Sequence, residues 1–271
     1  MKIALYYRQL DQAGLNALDT LRDSLHDRGI ETTTISDENG RHLLPSCDFL
    51  FSIGGDGTLL SSVQLADHTC PQTFPPVLGI NFGHLGFLTT ASRDNLDQLA
   101  DDLIDGHYTV EERTMLSLEN DGNEKVALNE VFVHRGEAMS LLRTQVYVDG
   151  EYVATYTGDG VIVATPTGST AYSLSCGGPI LTPTSGCFLI TPIAAHTLTL
   201  RPIIVPDTAH ITLRTGQGLV TLGVDSRRST IHGTATLHLQ RSSFTVRLIR
   251  TRSQNFFSAI RDKLMWGSEA K

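Results

Sequence analysis

The chain has 271 residues, of which 40% are hydrophobic and 18% charged, a composition typical of a folded globular protein and not of a disordered one. Lys and Arg number 21 and Asp and Glu 29, which gives a net charge of −8 and argues against a protein that binds nucleic acid through a basic face. No apolar run reaches the ~18 residues that cross a bilayer, and the start at Met1–Tyr7 is too short for a signal peptide. We therefore expect a cytoplasmic protein that does not enter a membrane.

The four cysteines, Cys47, Cys70, Cys176 and Cys187, lack the paired spacing of a zinc site, so we interpret them as reduced thiols. Glycine is more informative, because many of the 24 glycines fall in tight clusters.

The first ~110 residues alternate between strand and helix patterns, as in α/β proteins. The pattern predicts a strand at 2–7, a helix at 11–28 that stops at Gly29, strands at 48–53 and Val77–Ile80, and a helix capped by Ser92 and ended by Gly106. Short strands separated by helices indicate a mostly parallel sheet with helices on its faces.

From about residue 108 the apolar pattern changes to short β-type runs. They lie at 115–120, 126–133, 144–149, 152–156, 161–165, 189–193, 210–214, 219–224, 235–239 and 244–250, with dipeptides typical of hairpin turns at Asp121-Gly122 and Asp149-Gly150. This part predicts an antiparallel sandwich or a related layered architecture. Helical spacing returns from Phe256 to Trp266.

These patterns predict an α/β N-terminal domain and a β-rich C-terminal domain of sandwich type. We place the domains at 1–112 and 113–252, followed by a C-terminal helical segment, 253–271, that packs back on the first domain.

The first glycine cluster, Gly54–Thr58, directly follows the apolar strand 48–53 and precedes a helical run. Glycines at such a junction expose backbone N–H groups, and the helix N-terminus adds partial positive charge, so the cluster can hold a phosphate. Asp56 would repel that phosphate unless it holds a divalent cation or accepts a proton from an attacking hydroxyl. The alternative is a plain strand-to-helix turn in which Asp56 is a cap.

Of two further clusters, one follows a strand and the other lies within a strand-like run. Asn81–Leu88 lies after Val77–Ile80, where an open sheet binds ligands, and its His84 is either a general base or a structural residue. Asn129 and Glu130 stand in an apolar run, where neighbouring side chains point to opposite faces unless the strand bulges. Asn129 suits a base edge and Glu130 a ribose hydroxyl, or the pair only ends a strand.

The longest cluster, 157–178, places a Gly-Asp-Gly turn before an apolar strand and a stretch of small and hydroxyl residues after it. Small residues permit close approach of a ligand, and Tyr172 offers a ring for stacking on a planar group. A serine nucleophile is not expected, since the GxSxG elbow is absent. Asp225 is either a turn former or a site residue, and Arg227 and Arg228 either meet phosphate or are solvated.

Together these clusters resemble the NAD kinase family. The family's Gly-Gly-Asp-Gly-Thr loop, Asn-Glu pair and Thr-Pro-x-Gly-Ser-Thr-Ala-Tyr stretch occur here in the same order as Gly54–Thr58, Asn129-Glu130 and Thr165–Tyr172. Gly83–Phe87 and Thr191–Leu198 also match, so the resemblance covers residues ~48 to ~228.

The resemblance implies an N-terminal α/β domain, a β-rich C-terminal domain, and transfer of the γ-phosphoryl group of ATP, or of polyphosphate in some members, to the adenosine 2′-hydroxyl of NAD. It implies Asp56 as the base, with Gly57 against the phosphates and a Mg²⁺ ion near Asp56, although no direct metal-ligand motif is present. The substrate- or nucleotide-binding residues that it implies are Asp56, Gly57, Asn129, Glu130, Thr157, Asp159, Thr170, Ala171, Tyr172, Ser173, Leu174, Ser175, Ala194 and Asp225. It also implies a homodimer or homotetramer in which one subunit completes another's NAD pocket.

The chain departs from the family pattern at three positions. Ser61 stands where some members have a basic residue, Thr157 where others have Arg or His, and Arg227 where some have Gln. Two alternatives stay open. A diacylglycerol-type lipid kinase shares the first motif, and a non-catalytic dinucleotide-sensing module would bind NAD without turnover.

Overall fold

The computed structural model describes residues 1–36, 44–68, 74–82, 86–120, 123–136, 140–251 and 255–266. The chain divides into two compact units. The first comprises Met1–Glu112 together with the chain from Val246 onward, and the second comprises Arg113–Thr245.

The first unit is an α/β domain with a parallel sheet. Its elements are β1 (Lys2–Tyr7), α1 (Gln12–Asp27), β2 (Glu31–Ser36), β3 (Phe49–Ile53), α2 (Asp56–Val63), β4 (Val77–Asn81), β5 (Ala91–Ser92) and α3 (Leu96–Ile104). The strands pair in the order β2-β1-β3-β4, with β5 beside β4, and every pairing is parallel. Strands β3 and β4 are buried at all five positions, as expected for strands covered on both faces. The predicted parallel sheet is therefore confirmed.

The helices of this unit pack against each other through polar as well as apolar contacts. Asp11 caps α1 by accepting the Gly14 N–H, and the helix ends before Gly29, whose φ of +71° suits a C-terminal glycine. The Arg28 Nε donates to Asp101 Oδ1 at 2.8 Å, which ties α1 to α3.

The predicted cap at Ser92 is wrong: Ser92 ends β5, a short 3-10 turn follows at Arg93–Asn95, and α3 begins at Leu96.

The second unit is built from antiparallel strands. They are β6 (Tyr108–Asn120), β7 (Asn123–Ala127), β8 (Glu130–Arg135), β9 (Leu142–Val148), β10 (Glu151–Gly158), β11 (Gly160–Ala164), β12 (Cys187–Ile193), β13 (Ile203–Pro206), β14 (Ile211–Thr215), β15 (Leu219–Val224), β16 (Arg227–His232) and β17 (Thr236–Thr251), with the short helix α4 (Tyr172–Ser175) after β11. One sheet has the order β10-β9-β14-β17, with β6 and β7 paired beside it, and the other the order β13-β12-β11-β8-β15-β16. The structure confirms the β-rich, sandwich-type second half.

Alternate residues of the six-stranded sheet face two different environments. Val131 and Val133 of β8 join the core between the two sheets, which also contains Phe188 and Leu222. Phe132 points to the opposite face, where it packs with residues of β11 and β12 and with Tyr172. The outer face of this sheet is therefore the surface on which α4 lies, and it is where polar side chains of β8 can meet a ligand.

Several predicted boundaries in this half differ from the structure. The run 126–133 is two strands, because the chain bends at 128–129, and the runs 235–239 and 244–250 are one strand, β17. Strands β2, β13 and β16 were not predicted, because they have few buried apolar residues. Residues 246–252 belong to the first unit, because the end of β17 pairs with β4 through Leu248 and Val77.

The two predicted hairpin dipeptides have different outcomes. Asp149 and Gly150 have φ angles of 51° and 84° and connect β9 to β10, so this turn is confirmed as one that needs left-handed backbone at both central residues. Asp121 and Gly122 lie outside the described residues. The final helix, α5 (Phe256–Leu264), is confirmed and begins with a capping box at Asn255 and Ser258.

Within the described residues, no helix is long and apolar enough to cross a membrane. Of the four cysteines, Cys47, Cys176 and Cys187 are free thiols in the described part of the chain, and Cys70 lies outside it.

The packing of β11 depends on Gly160. A Cβ at this position would lie 2.0 Å from the Val133 carbonyl oxygen of the neighbouring strand, and backbone cannot move aside cheaply. We expect Gly160→Ala to lower the free energy of unfolding by about 3 kcal/mol or more in denaturant melts. Gly186→Ala is the matched control, since its Cβ would be 3.8 Å from its nearest neighbour. Equal stability of the two variants would contradict the close approach of β11 to β8 at Gly160.

Candidate functional site

In the first unit, the glycine cluster forms the connection from β3 to α2. Gly54 has a φ of +142°, and a Cβ there would lie 2.5 Å from Thr58 Oγ1, so only glycine fits. Its N–H donates to the Ile80 carbonyl at 2.9 Å, which joins the carboxyl end of β3 to that of β4. The connection therefore leaves the sheet edge at which α/β proteins bind ligands, and the first N–H groups of α2 are directed towards it.

Asp56 is the first residue of α2, and its half-buried carboxylate is held by a segment that follows β4. Oδ2 accepts the Phe87 N–H at 2.7 Å, and Oδ1 accepts the Leu88 and Thr89 N–H groups at 3.1 and 3.2 Å. Gly57 is exposed, with open space at its Cα. The predicted His84 lies outside the described residues.

In the second unit, Asp225 holds the segment that carries the Asn-Glu pair. It lies at the turn between β15 and β16 with a φ of 51°, and it is only 8% exposed. Its carboxylate accepts the N–H groups of Leu128, Asn129 and Glu130 at 2.8, 2.8 and 3.1 Å. Asp225 is thus both the predicted turn residue and a residue that shapes the site.

The Asp225 contacts explain why both members of the Asn-Glu pair are buried. Because the chain bends at 128–129, strand alternation does not separate the two side chains, and Asn129 and Glu130 are each 7% exposed. Asn129 Oδ1 and Glu130 Oε2 are buried without a hydrogen-bond partner in the described part of the structure. Buried acceptors of this kind are rare in native proteins, and a ligand donor would satisfy them.

A cavity of about 370 Å³ opens beside this pair, on the outer face of the six-stranded sheet. It is lined by Glu130, Phe132, His134, Tyr172, Thr221, Asp225 and Arg228. Phe132, His134 and Thr221 were not predicted as site residues, although the period of two along β8 puts 130, 132 and 134 on one face. The Phe132 ring meets Tyr172 edge to face, with centroids 5.5 Å apart.

Burial raises the pKa of both carboxyl groups in the cavity, and the charge of Asp225 adds to the rise at Glu130. Burial, followed by the nearby Asp225 charge, raises the pKa of Glu130 to about 8, while a hydrogen bond from the Tyr172 backbone opposes this rise. Burial also raises the pKa of Asp225 to about 6, against the opposing effect of its three N–H donors. The site therefore holds two buried carboxyl groups at a cost in solvation.

The predicted residues Thr157, Asp159 and Ala194 lie close together at the start of β11. A Cβ on Gly158 would be 2.8 Å from the Ala194 carbonyl oxygen, and the Thr157 carbonyl accepts the His196 N–H. The Asp159 carboxylate accepts a hydrogen bond from the Arg135 Nε at 2.5 Å, a contact that no sequence signal indicated. The Asp159 charge also contributes to the raised pKa of Tyr172, after the larger effect of burial.

The predicted stretch 170–175 is divided in its environment. Tyr172 lines the cavity, whereas Ser173 is fully buried and its hydroxyl shares a hydrogen bond with Thr191 at 2.7 Å. Thr170, Ala171 and Leu174 are half-buried and Ser175 is exposed, and none of these four lines the cavity.

At two of the positions that depart from the family pattern, the side chain donates a hydrogen bond to a backbone carbonyl of the protein. Ser61 donates to the Gly57 carbonyl at 3.2 Å, and Arg227 donates to the Val126 carbonyl at 2.6 Å. In the described residues, no group of three or more His, Cys, Asp or Glu side chains is arranged to hold a metal ion.

Comparison with known proteins decides the family. Residues 16–108 match the model of the ATP-NAD kinase N-terminal domain, and residues 128–251 match that of the ATP-NAD kinase C-terminal domain. The chain belongs to the NAD kinase family. The NAD kinase of Cytophaga hutchinsonii is 40% identical over 233 residues, which cover 83% of this chain and 77% of that protein.

Two solved structures share the fold of the family. Yeast NADH kinase, solved with NADH, has a TM-score of 0.86 at 26% identity and covers 100% of this chain and 89% of its own. The Archaeoglobus fulgidus NAD kinase, solved with ATP, has a TM-score of 0.81 at 26% identity and covers 98% of this chain and 99% of its own.

The raised pKa of Glu130 predicts a stability that depends on pH. Because the folded-state pKa lies above the unfolded value, this group's contribution to stability is complete below pH ~4.5 and is lost as the pH rises to ~8. Glu130→Gln keeps an acceptor for the Tyr172 N–H but has no charge to bury. We expect it to raise the free energy of unfolding at pH 8 by on the order of 2–4 kcal/mol and to flatten its pH dependence.

Denaturant melts from about pH 7 to about pH 9 measure this effect, since Asp225, with a pKa of about 6, is mostly ionised across that range. Glu151→Gln, at an exposed glutamate, is the matched control. A Glu130→Gln protein as sensitive to pH as the wild type would contradict the assignment.

Proposed function

We propose that this protein transfers the γ-phosphoryl group of ATP to the adenosine 2′-hydroxyl of NAD and forms NADP and ADP. The observation that best supports the proposal is the pair of buried acceptors, Asn129 Oδ1 and Glu130 Oε2, which lack a partner in the described structure. NAD offers the complementary donors, an adenine amino group and ribose hydroxyls. The relatives that carry the same family domains are NAD kinases.

The proposed chemistry at the first unit uses the Gly54–Thr58 connection and Asp56. Phosphoryl transfer depends mainly on positioning and charge neutralisation, and backbone N–H groups at the start of α2 suit both. The 2′-oxygen forms a bond to the γ-phosphorus, the bond from that phosphorus to the bridging oxygen breaks, and ADP takes the electron pair. Asp56 accepts the proton of the 2′-hydroxyl.

A divalent cation, expected as Mg²⁺, is part of this proposal. Mg²⁺ commonly binds through substrate phosphates and only one or two protein carboxylates, so the lack of a three-residue cluster in the described structure fits a cation that enters with ATP. We expect the cation near Asp56, where it would neutralise charge on the transferred group.

In the second unit, we propose that the cavity beside Glu130 binds part of NAD. Tyr172 provides a stacking face. We also assign Thr157, Asp159 and Ala194, which lie close together, to NAD binding. The Arg135 guanidinium holds Asp159 in a fixed orientation for a ligand donor. Asp225 acts through the backbone of 128–130.

The proposal also covers where the enzyme works and how it assembles. We expect a cytoplasmic enzyme that works as a homodimer or homotetramer, and the exposed Ile203 and Ile204 of β13 are an apolar surface that assembly could cover. The lipid kinase alternative is not retained, because it rests on Gly54–Thr58 alone, whereas the family match spans residues 16–108 and 128–251. The sensor alternative is not retained, because the relatives that match the chain are NAD kinases.

The proposal is tested by incubating the purified protein with NAD, ATP and Mg²⁺ and detecting NADP with an NADP-specific dehydrogenase. We expect NADP to form, and Asp56→Asn to lower kcat by ~10² or more, since loss of a general base removes ~10²–10⁴. A larger loss would fit a base that also organises the cation.

The control is Asp19→Asn, which changes an exposed aspartate of α1 and should leave kcat unaltered. If NADP forms with polyphosphate but not with ATP, the phosphoryl donor in the proposal is polyphosphate. No NADP with either donor would contradict the proposed function, and equal kcat in Asp56→Asn would contradict the role of that residue.

A further inference from the structure

The Asp56 carboxylate is enclosed by a short segment of its own unit. Three successive backbone N–H groups, from Phe87, Leu88 and Thr89, donate to it at 2.7 to 3.2 Å. Successive N–H groups of this kind form a concave site for an anion. The side chain of Asp56 itself fills that site.

The two residues at the ends of the segment fit the carboxylate closely. A Cβ on Gly86 would lie 1.6 Å from Asp56 Oδ1, so only glycine leaves room for the carboxylate. The hydroxyl of Thr89, which is fully buried, accepts the Gly86 N–H at 2.9 Å and lies 3.4 Å from Asp56 Oδ1.

We propose that Gly86 and Thr89 are positioning residues for Asp56. Leu88 and Thr89 occupy Oδ1, whereas Oδ2 has a single N–H donor among the described residues and keeps a lone pair. Oδ2 is then the oxygen that receives the proton of the acceptor hydroxyl. This assignment of a role in catalysis rests on the proposed function, but the contact between Gly86 and Asp56 does not.

The same contacts make Asp56 an anchor for Phe87, Leu88 and Thr89. Replacing Asp56 therefore removes a proton acceptor and also releases three buried or half-buried N–H groups. Loss of activity in Asp56→Asn cannot separate these two effects. A change at Gly86 displaces the carboxylate while the proton acceptor stays in the chain.

The experiment combines Gly86→Ala with Asp56→Ala in a double-mutant cycle. In the absence of substrate, we expect Gly86→Ala to lower the Tm by about 4 °C or more in the wild-type background, because the new methyl group displaces the carboxylate. In the Asp56→Ala background the methyl group has room, and we expect most of that loss to disappear. Equal losses in both backgrounds would overturn the contact.

The catalytic arm measures kcat and KM separately. We expect Gly86→Ala to lower kcat by ~10² or more, as a misplaced reacting group does, with KM for NAD and ATP within about threefold of the wild type. A purely structural role would leave kcat unchanged in the folded fraction, and that result would overturn the positioning role. Gly186→Ala, which meets no close neighbour, is the matched control.

Thr89 keeps the proposal testable if Gly86→Ala does not fold. Thr89→Ser retains the hydroxyl and should retain most of kcat, whereas Thr89→Val has the same shape without the hydroxyl and should lose about tenfold. Equal kcat in the two variants would overturn the role of the hydroxyl. A wild-type protein that makes no NADP would contradict the proposed function, and the substrate-free cycle would still decide whether Gly86 and Asp56 interact.

Discussion

Two aspartate carboxylates, each accepting three successive backbone N–H groups, shape the segments that carry the site residues. Asp225 holds 128–130 in the second unit, and Asp56 holds 87–89 in the first. Residues 87–89 and 128–129 lie outside the regular strands, so their N–H groups need acceptors from elsewhere. A carboxylate meets that need with charge-assisted hydrogen bonds, which are stronger than neutral ones, and the irregular backbone becomes well defined.

Burying the carboxyl groups of Asp225 and Glu130 lowers the stability of the folded protein at a pH at which they are charged. Asp225 and Glu130 are buried near each other, and the pKa of each is raised, which means that their charged forms are disfavoured in the folded protein. An apolar side chain in place of Glu130 would avoid the cost of burying charge there. Asp225, by contrast, is the acceptor of three backbone N–H groups. Glu130 nevertheless lines a cavity, and its Oε2 and the neighbouring Asn129 Oδ1 have no hydrogen-bond partner among the described residues, which agrees with the ligand recognition that we propose.

The features that local chemistry determines were predictable from the sequence. The alternation of strand and helix indicated the parallel sheet of the first unit. The Asp149-Gly150 dipeptide indicated the hairpin between β9 and β10 in the second unit, because only residues that tolerate left-handed backbone fit that turn. The bend at 128–129 was not predictable, since it depends on Asp225, almost a hundred residues away. The cap at Ser92 was wrong for a similar reason: pairing of Ala91 and Ser92 with β4 extends the chain there and delays α3. His134 and Thr221 were missed because their neighbourhood is made by strand pairing, not by a motif.

At two positions where the chain departs from the family pattern, Ser61 and Arg227, the side chain supports the backbone near the site. Arg227 donates to the Val126 carbonyl, so it holds the strand that leads into 128–130 and supports the segment that Asp225 also fixes. Ser61 donates to the Gly57 carbonyl within α2, and residues 54–63 contain no Lys or Arg. An anion at the start of α2 therefore depends on backbone N–H groups and the helix dipole instead of a nearby basic side chain of that helix. Because Asp56 adds negative charge at the same place, its hydrogen bonds to residues 87–89 have two effects. The N–H groups disperse the charge of the carboxylate, and they fix the positions of both carboxylate oxygens, of which Oδ2 has a single N–H donor among the described residues.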